Sequence, residues 1–167
     1  MSLSMHQVCI VQSRRMLSNL SAILIKAEAH CVAKKIETSV LLNSRLSLDM
    51  FPLVRQVQIA TDMIKYGVAR LSDVDAPKFE DKETDFAELE ERIQRTINFL
   101  NSITKDQIDG SESKEIKFSL RDNKFEFIGE QYLSTWILPH FYFHVTTTYN
   151  ILRHNGIEIG KRDYTGG

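Results

Sequence analysis

Apolar side chains recur at alternating steps of four and three residues through one stretch of the chain, and this spacing constrains the fold more than any other feature. The members of this repeat are Met50, Val54, Val57, Thr61, Ile64, Val68 and Leu71. Such spacing places every member on one face of an α-helix, whereas a strand requires alternation at every second residue. The stretch therefore predicts an amphipathic helix over residues 49–71, with Pro52 in its first turn, where a missing amide hydrogen costs little.

Three further segments have the same helical periodicity: residues 4–32, 84–104 and 130–154. Ser4 is a candidate N-cap of the first of them, and Thr84 or Asp85 of the second, because side-chain oxygens of these types accept hydrogen bonds from the free amides of a first turn. Four amphipathic helices in 167 residues predict an all-α protein, a four-helix bundle that forms a single domain over residues 1–167.

The rest of the chain has no sustained helical pattern. Residues 34–48 are polar around a short apolar island and predict a connector with about one helical turn, and residues 72–82 predict a loop. Residues 115–128 alternate between apolar and polar around the polar quartet 121–124, which predicts a small β-hairpin between the third and fourth helices. Residues 157–167 resemble a polar tail.

Composition excludes several classes of protein. The 21 basic and 22 acidic residues nearly cancel, so the chain has no electrostatic footprint for nucleic acid or for an anionic membrane surface. No segment approaches the roughly 20 apolar residues of a membrane span. Cys9 and Cys31 lie about 33 Å apart on one predicted helix, too far to pair with each other, which predicts reduced, buried thiols and a cytoplasmic location.

The fourth predicted helix carries two histidines one turn apart on its apolar stripe. The stripe consists of Leu133, Ile137, His140, His144, Thr147, Ile151 and His154. Because its apolar members face the core, His140 and His144 are predicted to face it too, and such a pair can present two imidazole nitrogens to one metal ion. A pair of neutral histidines, hydrogen-bonded within the core, is the alternative. Pro139 precedes them and predicts a kink.

Several segments resemble a known group of proteins. The segments Asp49–Leu53 and Gln58–Asp62, together with the His-x-x-x-His of the fourth helix, resemble the DinB/YfiT-like superfamily, which has metal-dependent members. Two others, Leu138–Val145 and Ile151–Gly156, are similar to a bacterial branch of that superfamily known only as a domain of unknown function. This resemblance covers essentially the whole chain.

The resemblance implies an up-down-down-up bundle that forms a homodimer. It also implies a divalent metal, zinc or nickel, held by three histidines in members that transfer low-molecular-weight thiols or act as hydrolases or isomerases. Carried over to this chain, His140 and His144 match the pair from the fourth helix. The position that matches the remaining histidine, on the second helix, is Gln58, and Asp62 lies one turn further on.

Because glutamine replaces the family's histidine at position 58, three hypotheses about the function remain. No histidine lies between His30 and His140, and an amide oxygen is a poor replacement for imidazole on zinc. We therefore predict a degenerate metal- or ligand-binding site of Gln58, Asp62, His140 and His144, which takes a small molecule and binds a metal weakly or not at all. The alternative is an active metal-dependent thiol transferase or hydrolase using the two histidines with Gln58 or Asp62. The third is a dimeric interaction module without a ligand.

Overall fold

The structure, a computed structural model, describes residues 3–167, and 67% of the chain is helical. The helices in chain order are α1 Gln12–Lys34, α2 Thr38–Leu42, α3 Leu53–Ser72, α4 Phe86–Ser102, α5 Lys105–Ile108, α6 Gly129–Gln131, α7 Leu138–His154 and α8 Lys161–Thr165. A π-helical segment, Gln7–Val11, leads into α1, and a second one, Tyr132–Ile137, joins α6 to α7. A 3₁₀ turn spans Ser111–Ser113.

The long helices share one hydrophobic core. Helix α3 contacts both α7 and α4, and α1 contacts α4 and α7. Completely buried apolar side chains come from each of these helices, among them Leu17, Leu24, Val57, Ile64, Leu89, Ile93, Val145 and Ile151. The apolar residues that recur at helical spacing in the sequence thus lie on the buried faces of these helices. Helix α3 lies at the centre of the packing.

The predicted hairpin is confirmed. Strand β1, Glu115–Leu120, pairs antiparallel with β2, Asn123–Ile128. Arg121 in the turn has a positive φ of 53°. A two-stranded hairpin is barely stable alone, and this one is supported by aromatic packing on the helical body, where the ring centroids of Phe118 and Tyr132 are 5.5 Å apart.

Helix ends differ from the predicted ones. Helix α3 begins at Leu53 rather than near residue 49, and Pro52 is its N-cap, with an extended ψ of 166°, rather than a first-turn residue. Helix α4 begins at Phe86, where Asp85 is the cap and its carboxylate accepts a hydrogen bond of 2.8 Å from the amide of Glu88. Ser4 accepts from the amide of Gln7 at 3.2 Å, as expected for a cap.

The predicted polar tail contains a short helix, α8. Asn19 and Arg15 of α1 donate to carbonyl oxygens near its end, and Lys26 pairs with Asp163. The amide of Gly160 donates to Asp163 at 2.7 Å, which caps the helix. A single helical turn is too short to show a period, so the sequence pattern does not reveal it.

The structure also tests what the sequence predicts for the two cysteines and for membrane-spanning segments. Cys9 and Cys31 are free thiols and both are buried, and burial raises the pKa of Cys9 to about 12. Within residues 3–167, no helix combines the length and apolar character that crossing a membrane requires.

Candidate functional site

His144 is buried between α7 and α3, where a glutamine holds one of its ring nitrogens. Its exposed fraction is 9%, and its Nδ1 lies 2.7 Å from Oε1 of Gln56. The Nε2 of Gln56 donates to the carbonyl of Phe51 at 3.0 Å, so the amide oxygen is the atom that faces the imidazole. In the neutral ring Nδ1 therefore carries the proton, and Nε2 carries the lone pair.

His140 lies one turn earlier and is half-buried rather than core-facing as predicted. Its Nδ1 lies 2.6 Å from the carbonyl oxygen of Trp136, which can only accept. This contact again leaves the lone pair of the neutral ring on Nε2. Histidines that bind metals usually donate their other ring N–H to a carbonyl or carboxylate oxygen, and both members of this pair are held in that way. His154, at the end of the predicted stripe, is exposed.

The backbone before the pair explains the position of His140. Pro139 has no amide hydrogen, and its ring clashes with the carbonyl four residues earlier in a regular helix. The preceding turn is widened to a π-helix, in which the amide of Leu138 donates to the oxygen of Leu133. The predicted kink therefore takes the form of a π-helical turn, and the carbonyl of Trp136 accepts from the side chain of His140.

The hairpin supports this arrangement from the outside. The Trp136 ring packs on His140 with 4.4 Å between centroids, and on Phe125 of β2 with 4.6 Å. Phe118 and Phe127 complete the cluster around the indole. The hairpin is therefore a wall of the histidine site, which its short alternating sequence does not reveal.

The electrostatic surroundings keep His144 neutral. Burial, followed by smaller electrostatic contributions from His140 and Arg55, lowers the pKa of His144 from 6.5 to about 4. At pH 7 the ring of His144 is therefore neutral, with the proton on Nδ1 and the lone pair on Nε2. The guanidinium of Arg55, close enough to lower the pKa of His144, also opposes the approach of a metal cation to that imidazole.

Gln58, the predicted third ligand position, is turned to other partners. Its Oε1 accepts from Arg55 at 3.0 Å, and its Nε2 donates to Glu83 at 2.8 Å. The glutamine that contacts His144 is Gln56, which the sequence pattern does not single out. Gln56 shares a helix face with Ala60 and with Gly67, which packs closely against Ile137 of the π-helical turn, and small residues on that face are the signal that could have found it.

Asp62 also faces away from the histidine pair. Its Oδ1 lies 3.0 Å from Arg92 of α4 and 2.8 Å from Lys65. The structure thus brings His140, His144 and Gln56 together, and it places Gln58 and Asp62 in a charged network on the α4 side of α3. Among residues 3–167, no three His, Cys, Asp or Glu side chains are grouped so as to hold a metal ion.

These features define a mostly helical protein in which one histidine, His144, is held against α3 and a second, His140, lies one turn earlier beside Trp136. The sequence profile of the family described as "Domain of unknown function (DUF1993)" matches residues 5–165, and the chain belongs to that family. Among solved structures it is similar to a DinB family member protein from Shewanella denitrificans, with 42% identity and a TM-score of 0.88 over 97% of this chain and 92% of that one. No curated protein matches.

The match confirms the resemblance inferred from the sequence: the chain is a DinB-like protein of a branch of unknown function. The hairpin and the high helix content also agree with that fold.

Proposed function

We propose that this protein is a single up-down-down-up four-helix bundle with a degenerate ligand-binding site built on His140 and His144. In this site a small molecule binds to the imidazoles and a divalent metal binds weakly or not at all. The observation that carries the proposal is the side chain of Gln58, which uses its oxygen on Arg55 and its nitrogen on Glu83. The third ligand position is therefore engaged elsewhere.

The donors that remain fit a small molecule better than a metal. Each imidazole offers one Nε2 acceptor, so a ligand with N–H or O–H donors can bind both. A zinc site needs three or four nitrogen, sulfur or carboxylate donors, and the positive charge of Arg55 opposes a divalent cation near the pair. Zinc or nickel would thus be held by two nitrogens alone.

A metal-dependent enzyme is the second candidate, and one observation favours it. Both Nδ1 atoms are hydrogen-bonded to carbonyl oxygens, as the nitrogen opposite the metal usually is in a metal-binding histidine. For a complete site, Gln58 or Asp62 would have to leave its present partners and supply a third ligand. This candidate predicts stoichiometric metal in protein purified without a nickel column.

A fluorescence titration separates the two candidates. Trp136 is the single tryptophan of the chain, and its ring centroid lies 4.4 Å from that of His140. We expect Ni²⁺ to quench its fluorescence only at concentrations well above that of the protein, and His144→Gln to remove even this response. His154→Gln, at the exposed end of α7, is the matched control and should titrate like the wild type. Saturation at stoichiometric Ni²⁺ contradicts the degenerate site.

Restoring the third histidine provides a complementary test. We expect Gln58→His to bind Ni²⁺ at least ten times more tightly than the wild type, a difference of about 1.4 kcal/mol, because a third imidazole is added at the family's ligand position. Gln12→His is the matched control, because it adds an imidazole at an exposed position of α1, and it should bind Ni²⁺ like the wild type. Equal affinities in the wild type and Gln58→His would contradict the assignment of position 58.

A further inference from the structure

A long acidic connection covers the α4 side of α3. Residues 73–85, called here the acidic strap, link α3 to α4 without regular secondary structure, and they contain six acidic and two basic residues. Connections of this length without secondary structure are uncommon in compact domains and are usually functional. The strap lies over a group of cations that are otherwise poorly compensated.

Arg92 of α4 is the centre of that group. It is 1% exposed, and two strap carboxylates pair with it: Glu83 at 2.9 Å and Asp81 at 3.1 Å. The other oxygen of Asp81 pairs with Arg55, so one carboxylate bridges two guanidinium groups. Burial of a charge costs several kcal/mol unless it is paired, and the strap supplies much of this pairing.

Lys65 of α3 is buried completely beneath the same strap. Its Nζ lies 2.8 Å from Asp62, and 3.7 Å from the ring centroid of Phe79 in the strap. An ammonium has three N–H donors, and the ion pair with Asp62 leaves donors that face aromatic rings. Burial lowers the pKa of Lys65, and Asp62 opposes that change. Lys65 is therefore a buried amine with unused hydrogen-bonding capacity.

We propose that Arg55, Lys65 and Arg92 form a carboxylate-binding site which the acidic strap occupies internally, and that this site takes a small polycarboxylate when the strap lifts. The contacts of Asp81 and Glu83 are those that an external dicarboxylate would make. A cavity of about 420 Å³ beside the strap gives such a ligand an approach, and its lining combines four basic side chains, Arg92 among them, with four glutamates, of which Glu80 and Glu83 belong to the strap. The proposal does not depend on the histidine pair.

An internal ligand competes at a high effective concentration, so its removal should raise the affinity for an external one. We would titrate citrate by calorimetry into the wild type and into Asp81→Asn/Glu83→Gln. The double variant should bind citrate at least tenfold more tightly than the wild type. The matched control, Asp75→Asn/Glu80→Gln, removes the same charge from the strap and leaves the carboxylates on Arg92 in place, so it should bind like the wild type.

Chemical labelling of Lys65 provides a second readout. Acetic anhydride, followed by peptide mass spectrometry, should modify Lys65 several times faster in the double variant than in the control, and citrate should protect it. If the double variant does not fold by circular dichroism, Phe79→Ala keeps every charge and should also expose Lys65. Citrate affinity or labelling that matches the control overturns the proposal.

The two proposals fail separately in these experiments. The Ni²⁺ titration of Trp136 should be the same in Phe79→Ala and in the wild type, because this variant leaves Arg55 and Glu83 on Gln58, and His140 and His144 keep their own partners on Trp136 and Gln56. A loss of citrate binding therefore says nothing against the histidine site, and the converse also holds.

Discussion

At the scale of single residues, the neutral state of His144 is the property on which the site depends. The ring is buried, and Gln56 accepts from its Nδ1. A protonated ring would place a charge in the core and would lose the lone pair on Nε2, which is the atom available to a ligand. Ligand binding and folding therefore favour the same protonation state.

This property gives the folding stability a defined pH dependence. The pKa of His144 is about 4 in the folded chain and 6.5 at its ordinary value, so between these values the unfolded chain binds the additional proton. The contribution of His144 to the free energy of unfolding is complete above pH 6.5. It falls as the pH falls from 6.5 towards 4, and it changes no further below pH 4. We expect a loss of about 2 kcal/mol between pH 7 and pH 5, measured by urea unfolding.

Other groups titrate in the same interval, so a variant isolates the contribution of His144. The glutamine of His144→Gln cannot take up a proton. Between pH 7 and pH 5 the free energy of unfolding of this variant should therefore fall by about 2 kcal/mol less than that of the wild type, whatever its value at pH 7. His154→Gln, which changes an exposed histidine, should keep the full dependence of the wild type. Identical slopes in all three proteins would exclude the buried neutral imidazole.

Residue-level detail of the site was only partly accessible from the sequence. The spacing of His140 and His144 predicts that they lie one turn apart, but their exposure and partners depend on the π-helical turn before Pro139. Gln58 was selected because it matches a ligand position of the resembling family. Its actual partners, Arg55 and Glu83, come from α3 itself and from a loop without any periodic signal.

At the scale of elements, the packing of α3 against the π-helical turn depends on Gly67. A Cβ at this position would lie 2.7 Å from Cδ1 of Ile137, which is completely buried and has no room to move. Alanine in place of a helical glycine gains about 1 kcal/mol of helix propensity. Overpacking costs about 1–3 kcal/mol, so we expect Gly67→Ala to lower the free energy of unfolding, measured in urea.

A double-mutant cycle checks the cause of that loss. Ile137→Ala removes Cδ1, Cγ1 and Cγ2, the three atoms nearest to the added Cβ, and should itself cost about 2–5 kcal/mol. In the Gly67→Ala background this substitution should cost less than it does alone, because the clashing atoms are gone. If the two effects add, the contact between Gly67 and Ile137 is not the origin of the destabilisation.

The elements divide by length into those that the sequence predicts and those that it does not. Helices α1, α3, α4 and α7 are long enough for an apolar stripe to repeat several times. The π-helical turns, α8 and the acidic strap are one or two turns long or irregular, and tertiary contacts determine their conformations. The hairpin is recognisable because its period of two contrasts with the helical period around it.

At the scale of the whole molecule, α3 connects two chemically separate regions. One face carries Gln56 to the histidine pair of α7, while residues one to three turns further on carry Asp62 and Lys65 to Arg92 of α4. Gln58 lies between the two regions through its bonds to Arg55 and Glu83. Substitutions of Gln56 or Lys65 thus act first on one region, whereas a substitution of Gln58 or Arg55 acts on both.

The surface of α1 bears on the predicted homodimer. Val11, Ile25 and Val32 are 43%, 57% and 72% exposed and, with Ser18, follow one another at seven-residue steps along one line of the helix. Isolated exposed apolar residues are ordinary, but a line of them on a long helix is suited to pack against its equivalent on a second copy. We therefore expect the protein to be a dimer by light scattering, joined through this line.

The matched variants test both the dimer and its location. Ile25→Lys/Val32→Lys places two like charges on the line and should give a monomer, because burying unpaired charges in the interface is costly. Leu48→Lys/Leu120→Lys adds the same charge at exposed leucines away from α1, and it should remain a dimer. A dimer that survives the α1 variant would place the interface on another face. A monomeric wild type would contradict the homodimer altogether, and the histidine site would then have to be complete within one chain.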